Sequence, residues 1–250
     1  MIPLSSKQQE LQDRDAQILA SARKLLLDRG YYGLTMDHIA RESAYPKGTL
    51  YHRFGCKEDI LIALTTDCSE RRMDMMRRAA AYPGRTRERM LALGEAVSLY
   101  TRLYPDDSRI LHSANGPVRE KASPQRLMAL LDVEREATQI SFDILQAAVE
   151  EGDIVPEYDD QIAEIALGTW GLVEGAFTLI ESGNAKSILN VDDPFHKVWR
   201  YFNRVADSYG WRPLFDEWDY EESLVHIRKS IFPTEAQDVY GKDKWYGDRL

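Results

Sequence analysis

A pair of short helices is predicted over residues 35–60, and no other stretch constrains the fold as strongly. Thr35 is typical of a helix N-cap, because its hydroxyl can accept a backbone N–H of the first turn. Leu34 and Ile39 flank this cap with the spacing of a hydrophobic staple. Pro46 suits the first residue of the second helix, since its ring fixes a helical φ. The stretch therefore predicts two helices joined by a short turn.

The second helix is predicted to have one apolar and one polar face. Leu50 and Phe54 lie four residues apart and share the apolar face. The outward residues combine hydrogen-bond donors with a glycine that permits close approach: Lys47, Gly48, Thr49, Tyr51 and His52. Such donors position a helix against phosphates, and a helix braced by another in the major groove is a helix-turn-helix. We therefore expect DNA binding, with Lys47 and its neighbours Tyr45 and Thr49 as the candidates for reading bases.

Helical periodicity runs along most of the chain, and alternating apolar–polar strands are absent from the sequence. Ile18 and Ala22 recur at helical spacing within residues 12–29, and Gly30 is suited to end that helix. Residues 1–10 are polar and expected to be frayed. The predicted fold is all-α, with further helices over 57–81, 86–103, 106–114, 124–151, 159–182, 194–209 and 217–231.

Charge is distributed unevenly between the two ends of the chain. The net charge of −9 argues against a nucleic-acid partner when it is taken alone. Residues 1–90, however, hold 16 Lys and Arg against 12 Asp and Glu, a net of +4, whereas residues 91–250 hold 16 against 29, a net of −13. This distribution favours a basic end that faces DNA and an acidic body that does not touch it.

Several other classes of protein find no support in the sequence. The first residues lack the apolar core of a secretory signal, and no apolar run approaches the ~18 residues of a membrane span, which favours the cytoplasm. Cys56 and Cys68, if they share a helix, lie roughly 18 Å apart, which is too far for a disulfide; we expect two free thiols. No nucleophile–base constellation, phosphate-binding glycine loop or paired His and Cys ligands indicates an enzyme, a cofactor or a metal site.

One set of residue types recurs at fixed offsets within residues 12–64: the Gly30 to Thr35 turn, Ile39-Ala40, Lys47-Gly48-Thr49-Leu50-Tyr51, Phe54 and Lys57-Glu58. With this set, residues 12–64 resemble the N-terminal domain of the TetR family, the tetracycline-repressor-like bacterial regulators. The chain departs from the family at three positions: Ala44 stands in the turn where Gly is common, Pro46 where Ser often caps the recognition helix, and Cys56 where Ser or Thr usually caps the next helix.

The resemblance implies an all-α homodimer that binds a palindromic operator. It favours a ligand-responsive transcriptional repressor, with double-stranded DNA, a second copy of the chain and an unknown small-molecule effector as partners. An activator, or a helical interaction module that has lost DNA binding, stays open as an alternative. For each polar side chain expected at the DNA, the alternative is an ordinary solvent-exposed position without a DNA contact. The residues expected at the DNA, from the resemblance and from proximity to Lys47, are Thr35, Tyr45, Lys47, Gly48, Thr49, Tyr51, His52 and Lys57.

Four segments are predicted along the chain. A three-helix DNA-binding domain is joined by a long helix to an antiparallel helical domain that binds the ligand and the partner subunit. The last segment holds three of the five tryptophans, and we expect it to cover the pocket or to embrace the partner. The boundaries are 1–10 for a flexible N-terminus, 11–56 for the DNA-binding domain, 57–210 for the regulatory and dimerisation domain, and 211–250 for the extension.

Gly168, Gly171 and Gly175 lie on one face of the predicted helix 159–182. Because each mid-helix glycine costs about 1 kcal/mol relative to alanine, three on one face predict the close approach of another helix. The helix is expected to form the dimer interface with the helix over 194–209, and packing within one subunit is the alternative. The candidate effector-binding residues, for which plain core positions are the alternative, are Met73, Met76, Tyr100, Leu103, His112, Phe142, Trp170 and Phe177.

Overall fold

The computed structural model describes residues 5–241, and over that range the chain consists of helices and loops. The all-α prediction is confirmed. The helices are α1 (Ser6–Gly33), α2 (Met36–Ser43), α3 (Lys47–Arg53), α4 (Lys57–Ala80), α5 (Thr86–Leu103), α6 (Pro105–Ser113), α7 (Pro117–Lys121), α8 (Pro124–Glu150), α9 (Gln161–Glu181), α10 (Asn184–Ser187), α11 (Pro194–Ser208), α12 (Tyr220–Ser230) and α13 (Pro233–Tyr240).

The first helix starts earlier than the sequence periodicity predicts. Ser5 and Gln8 form a capping box, in which Gln8 N donates to Ser5 Oγ at 3.3 Å and Ser5 N donates to Gln8 Oε1 at 2.9 Å. Residues 6–10 are therefore helical rather than frayed. At the other end, Gly30 adopts a φ of 67°, a conformation that glycine reaches without a Cβ clash. The chain makes one further turn before α2.

The chain forms two compact units. The first comprises Met1–Met73 with Tyr104–Arg135, and the second comprises Asp74–Leu103 with Glu136–Leu250, each as far as it is described. This division differs from the predicted domain boundary after residue 56. The segment that forms α6, α7 and the start of α8 packs with α1 to α4, because its apolar side chains join their core.

One apolar cluster holds the first unit together. Five of its helices contribute side chains that have no exposure to solvent, including Ile18 of α1, Ile39 of α2, Leu50 of α3, Leu61 of α4 and Leu130 of α8. Burying an aliphatic side chain of this size contributes about 1.5–3 kcal/mol. The two short helices α2 and α3 therefore depend on this shared core, since isolated helices of their length are marginal in water.

A buried carboxylate ties α6 to α1 and α4. Asp107 is 3% exposed and accepts hydrogen bonds from Arg71 Nε at 3.0 Å and Nη2 at 2.6 Å, and also from Arg23 Nη2. The Cys68 thiol contacts both guanidinium groups, and burial raises its pKa to about 11. Cys56 and Cys68 are both free thiols, as predicted.

In the second unit, α11, α12 and α13 pack against α5. The guanidinium of Arg87 is fully buried there. It donates from Nε to Asn203 Oδ1 at 3.2 Å and from Nη1 to the Trp211 carbonyl oxygen at 2.7 Å, and it pairs with Asp207. Because every polar group in this set has a partner, the charge fixes α5 against α11 without leaving an unpaired buried ion.

The described part of the predicted extension packs on α5 of its own chain. Arg228 of α12 donates to Glu95 Oε1 of α5 at 2.7 Å, and both residues are buried. Trp211 Nε1 donates to Thr86 Oγ1 at 3.0 Å. Residues 211–241 thus pack within their own chain, and the covering of a pocket or a contact with the partner subunit stays a prediction. Residues 242–250 lie outside the described residues.

The apolar helix α9 is mostly exposed. Leu167 is 69% exposed and Trp170 is 60% exposed. A Cβ atom added at Gly168, Gly171 or Gly175 would meet no atom within 4 Å, so the alternative of close packing within one subunit does not hold for the described chain. By length and composition α9 could also span a membrane, with a mean hydropathy of 1.2. Both features are typical of a helix whose exposed face is covered by something other than water.

Candidate nucleic-acid interface

The helix α2 begins as the sequence predicts. Thr35 Oγ1 accepts a hydrogen bond from His38 N at 3.2 Å, which satisfies one of the free N–H groups of the first turn. Leu34 and Ile39 are fully buried on either side of this cap. The His38 ring also lies 3.0 Å from the Gly33 carbonyl oxygen. The start of α2 is therefore fixed to the end of α1 by local hydrogen bonds and by burial.

The turn between α2 and α3 contains two of the three departures from the family pattern. Ala44 has φ 58° and ψ 18°, the left-handed conformation, which explains why glycine is common at this position. Pro46 was predicted to be the first helical residue of α3. It is instead the N-cap of that helix, because its ψ of 143° is extended. Pro46 offers no side-chain hydrogen bond, so α3 starts at Lys47 without a side-chain cap.

The inner side of α3 is held firmly. Leu50 and Phe54 are buried in the core of the unit. Arg53 Nε donates to Asp15 Oδ1 of α1 at 2.8 Å, and the Arg126 guanidinium lies 5.0 Å from the centre of the Phe54 ring. Side-chain burial and these two contacts fix the rotation of α3, so its opposite face is presented to solvent in one orientation.

The outer face of α3 carries the predicted donors. Lys47 has 52% of its side chain exposed, Tyr51 is 51% exposed, and His52 is also exposed. A Cβ atom at Gly48 would meet nothing within 4 Å, so the backbone there is open to close approach. Thr49 is half-buried. The face thus combines a cation, a phenol and an imidazole around an accessible stretch of backbone.

Lys47 has an intramolecular partner that sequence reasoning did not identify. Its ammonium pairs with the carboxylate of Asp37 in the first turn of α2. The hydrogen bond to Asp37 raises the pKa of Lys47 above its ordinary value, so the lysine is fully charged at neutral pH. An anion that binds at α3 must therefore compete with Asp37 for this ammonium. The pairing depends on how α2 and α3 cross, which residue spacing alone does not predict.

Two other predicted residues are engaged within the unit. The Tyr45 hydroxyl donates to Gln17 Oε1 at 2.7 Å. Lys57 Nζ donates to the Tyr31 carbonyl oxygen at 3.0 Å and lies 4.0 Å from the centre of the Tyr31 ring. Tyr51 and His52 are thus the exposed predicted side chains of α3, whereas Tyr45 and Lys57, like Lys47, would have to exchange partners to meet DNA.

Comparison with known proteins agrees with this geometry. The family model described as "Bacterial regulatory proteins, tetR family" matches residues 18–64. The chain is 43% identical over 51 residues to the HTH-type transcriptional regulator HbdR of Aromatoleum sp. (strain CIB), which covers 20% of this chain and 22% of HbdR. It is 39% identical over 59 residues to the HTH-type transcriptional regulator LmrA of Bacillus subtilis (strain 168), which covers 23% of this chain and 31% of LmrA. The matched segments thus span less than a third of either relative.

Residues 18–64 thus match the N-terminal domain of the TetR family. The crystal structure of the TetR family regulator PfmR from Thermus thermophilus matches 75% of this chain and 96% of PfmR, with a TM-score of 0.57 and 18% identity. At that identity the likeness shows a shared fold. A quarter of this chain has no counterpart in PfmR, since 75% of it is matched.

The predicted effector residues are divided between the two units of the chain. Met73 and His112 belong to the first unit, and the other six belong to the second. Trp170 is exposed on α9 and donates to Glu174 at 3.3 Å, so it is not part of a buried pocket of the chain. Tyr100 and Phe177 are buried. Among residues 5–241, no group of three or more His, Cys, Asp or Glu side chains is placed to hold a metal ion.

Proposed function

We propose that this chain is a sequence-specific DNA-binding transcriptional regulator and that α3 is its recognition helix. The observation that carries the proposal is the outer face of α3. Lys47 and Tyr51 are exposed beside the open backbone of Gly48, while Leu50 on the opposite side is fully buried. A rigidly supported helix with donors on one face suits insertion into the major groove, and its side chains can contact both phosphates and base edges.

We propose further that the chain acts as a homodimer on a palindromic operator. The exposed apolar face of α9, which includes Leu167, Trp170 and Leu179, supports this proposal. Three glycines along α9 leave room for another helix to approach closely. Tyr201 of α11 is also exposed. A two-fold dimer would present two copies of α3, and its operator would share that symmetry, with half-sites about 34–36 Å apart.

The regulatory direction that we propose is repression relieved by a small molecule. An effector that prefers a conformation in which the two α3 helices no longer fit successive major grooves would weaken operator binding. The coupling must be reciprocal, so operator DNA would weaken effector binding by the same factor. Activation by the same contacts is the second outcome, and a reporter gene placed behind the selected operator distinguishes the two.

Selection of bound duplexes from a random pool tests the proposal directly. We expect an inverted repeat to be enriched, and the affinity for it to fall steeply with salt because bound counterions are released from the phosphates. A chain that retains no duplex even at low salt would instead be a helical module without DNA binding. That result would remove the proposed function.

Substitutions on α3 separate specific binding from general charge effects. We expect Lys47→Ala to weaken operator binding about tenfold and Tyr51→Phe about threefold, in line with the loss of one charged and one neutral hydrogen bond. Lys24→Ala is the matched control, because Lys24 is also an exposed lysine paired with a carboxylate, that of Glu42, but it lies on α1. Equal losses for Lys47→Ala and Lys24→Ala would contradict a specific role for α3.

A further inference from the structure

The exposed face of α9 is acidic as well as apolar. The helix contains three glutamates, Glu164, Glu174 and Glu181, and no lysine or arginine. All three glutamates are exposed. Glu174 follows Leu167 by seven residues and Trp170 by four, and Glu181 follows Glu174 by seven, so these residues share one side of the helix. Any molecule that covers the apolar side chains of α9 therefore also meets its carboxylates.

The neighbouring helix α11 presents charge of the opposite sign. Lys197, Tyr201 and Arg204 are exposed and recur at intervals of four and three residues, so they form one stripe, which the half-buried Arg200 flanks. Within residues 5–241, these three cations form no ion pair. Asp207, the acid of α11, pairs instead with the buried arginine of α5. The outer side of α11 is therefore basic.

The two helices pack against each other in opposite directions. Tyr209, directly after α11, donates to Glu164 Oε1 in the first turn of α9 at 2.7 Å. Measured from this contact at ~1.5 Å per residue, Glu174 lies about 15 Å along α9. On the same scale, Lys197 and Arg200 lie about 18 Å and about 14 Å along α11. Glu174 and the two cations are therefore at nearly the same height along the helix pair.

Two symmetric arrangements can join this face to the same face of a second copy. A two-fold axis parallel to the helices places α9 opposite the partner's α11 and keeps every residue at its own height. A two-fold axis perpendicular to the helices, in the plane of the interface, places α9 opposite α9 and α11 opposite α11. The second arrangement brings glutamates against glutamates and cations against cations, and like charges that face each other across an interface oppose association. The charges therefore favour the parallel axis.

We propose that a second copy of the chain binds with its α11 against α9, so that Lys197 and Arg200 of each subunit contact the partner's Glu174. Arg204, about 8 Å along α11, then reaches the height of the partner's Trp170, about 9 Å along α9, whose indole ring can hold a guanidinium. The inference rests on the homodimer of the proposed function. It adds which helices face each other and which charges recognise the second copy.

The salt dependence of the dimer tests the sign of the facing charges. Sedimentation equilibrium of the full chain without DNA gives the dissociation constant of the dimer in NaCl from about 0.1 M to about 1 M, a range over which the Debye length falls from about 10 Å to about 3 Å. We expect the constant to rise at least about threefold, because salt screens the attraction at both symmetric contacts. A constant that falls, as an α9–α9 contact requires, or that does not change would overturn the proposal.

Charge reversal tests which helices face each other. Lys197→Glu and Glu174→Lys should each weaken the dimer about tenfold, because each variant places like charges at both symmetric contacts. An equimolar mixture of the two variants should form a heterodimer about as tight as the wild type, since acid then faces base at both contacts. If α9 faced α9, Glu174→Lys would dimerise like the wild type and would bind the wild-type chain more tightly than itself. Either result would overturn the proposal.

Two matched variants control for the change in net charge. Lys229→Glu on α12 and Glu150→Lys on α8 make the same charge changes at exposed positions of the same unit, and both should leave the dimer unchanged. Losses equal to those of Lys197→Glu and Glu174→Lys would count against a specific contact. A wild-type chain that stays monomeric contradicts the proposed homodimer. A wild-type dimer whose affinity ignores both reversals contradicts the α9–α11 contact alone, so the two failures are distinguishable.

Discussion

At the scale of single residues, the backbone of Ala44 is the clearest departure from what its side chain prefers. Its φ of 58° places a Cβ-bearing residue in the left-handed region, which costs about 1–2 kcal/mol for an alanine. Ala44→Gly should therefore raise the free energy of unfolding by about 1 kcal/mol, because glycine occupies this region freely but loses more chain entropy on folding. Urea denaturation measures the change.

The sign of this effect has an internal control. Ala16 is exposed within α1, where the backbone is helical, and Ala16→Gly should lower the free energy of unfolding by about 1 kcal/mol. Opposite signs at the two alanines would show that conformation, rather than side-chain loss, decides the outcome. Destabilisation of similar size at both positions would contradict a left-handed Ala44.

The ion pair between Lys47 and Asp37 leads to a prediction for DNA binding. In the free chain Asp37 holds the ammonium that we assign to the operator, and its own charge repels phosphate. Asp37→Asn should therefore tighten operator binding by only about twofold to fivefold, because an exposed ion pair is weak. Fluorescence anisotropy with a labelled operator at fixed salt gives the ratio. Glu42→Gln, which frees Lys24 instead, should leave the affinity unchanged if α3 alone is the recognition element.

At the scale of helices, the sequence predicts those that are marked by residues within one turn of each other or that are long enough to show helical periodicity. The Thr35 cap and the Leu34–Ile39 staple locate α2, because each acts within one turn. The helices α7, α10 and α13 were not predicted, since the first two are only 5 and 4 residues long and the third only 8, which is too short to show periodicity. The early start of α1 could have been predicted, because Ser5 and Gln8 have the spacing of a capping box.

The candidate site was predictable only in part for a related reason. Residue types at fixed offsets indicate which side of α3 faces outward, because a helix repeats every ~3.6 residues. The partners of Lys47, Tyr45 and Lys57 come instead from α2, from α1 and from the last turn of α1. Such contacts depend on interhelical angles and distances, which follow from the packing of the whole unit.

The buried carboxylate of α6 gives a prediction for the stability of the first unit. Asp107→Ala leaves Arg23 and Arg71 without their shared partner. Breaking a buried ion pair typically costs about 3–5 kcal/mol, and we expect about 2–3 kcal/mol here because both arginines keep some contact with water. The control Asp106→Ala removes an exposed acid on the same helix, 3.7 Å from Arg109, and should change stability by less than about 1 kcal/mol. Equal losses of stability for Asp107→Ala and Asp106→Ala in urea denaturation would argue that Asp107 does not hold α6 to α1 and α4.

At the scale of the whole molecule, the acidic composition and the proposed DNA binding are compatible. The net charge of −9 is an average over a basic N-terminal third and an acidic remainder. Phosphate contacts depend on charges within about a Debye length, about 8–10 Å at physiological salt. The acidic residues therefore lower non-specific attraction to DNA by the molecule as a whole, while the donors around α3 decide local contact. Net charge alone therefore does not argue against the proposed partner.

The exposed face of α9 leads to a prediction about assembly. Leu167→Glu places a charge on this face, and the residue is 69% exposed in the single chain, so the substitution should leave the fold of the subunit intact. Burying an unpaired charge in an apolar interface is costly, and we expect the variant to sediment as a monomer where the wild type sediments as a dimer. Val155→Glu is the control, because Val155 is also highly exposed but lies in the loop before α9.

The same variant connects assembly to DNA recognition. A dimer binds two half-sites with one loss of translational freedom, whereas a monomer must bind each half-site separately. Leu167→Glu should therefore lose most of its affinity for the full operator while its weak binding to an isolated half-site stays equal to that of the wild type. Full operator affinity in a monomeric variant would contradict the homodimer proposal. If the wild type is itself monomeric but floats with lipid vesicles, the apolar face of α9 serves a membrane, and the length and hydropathy of the helix are the properties that permit this.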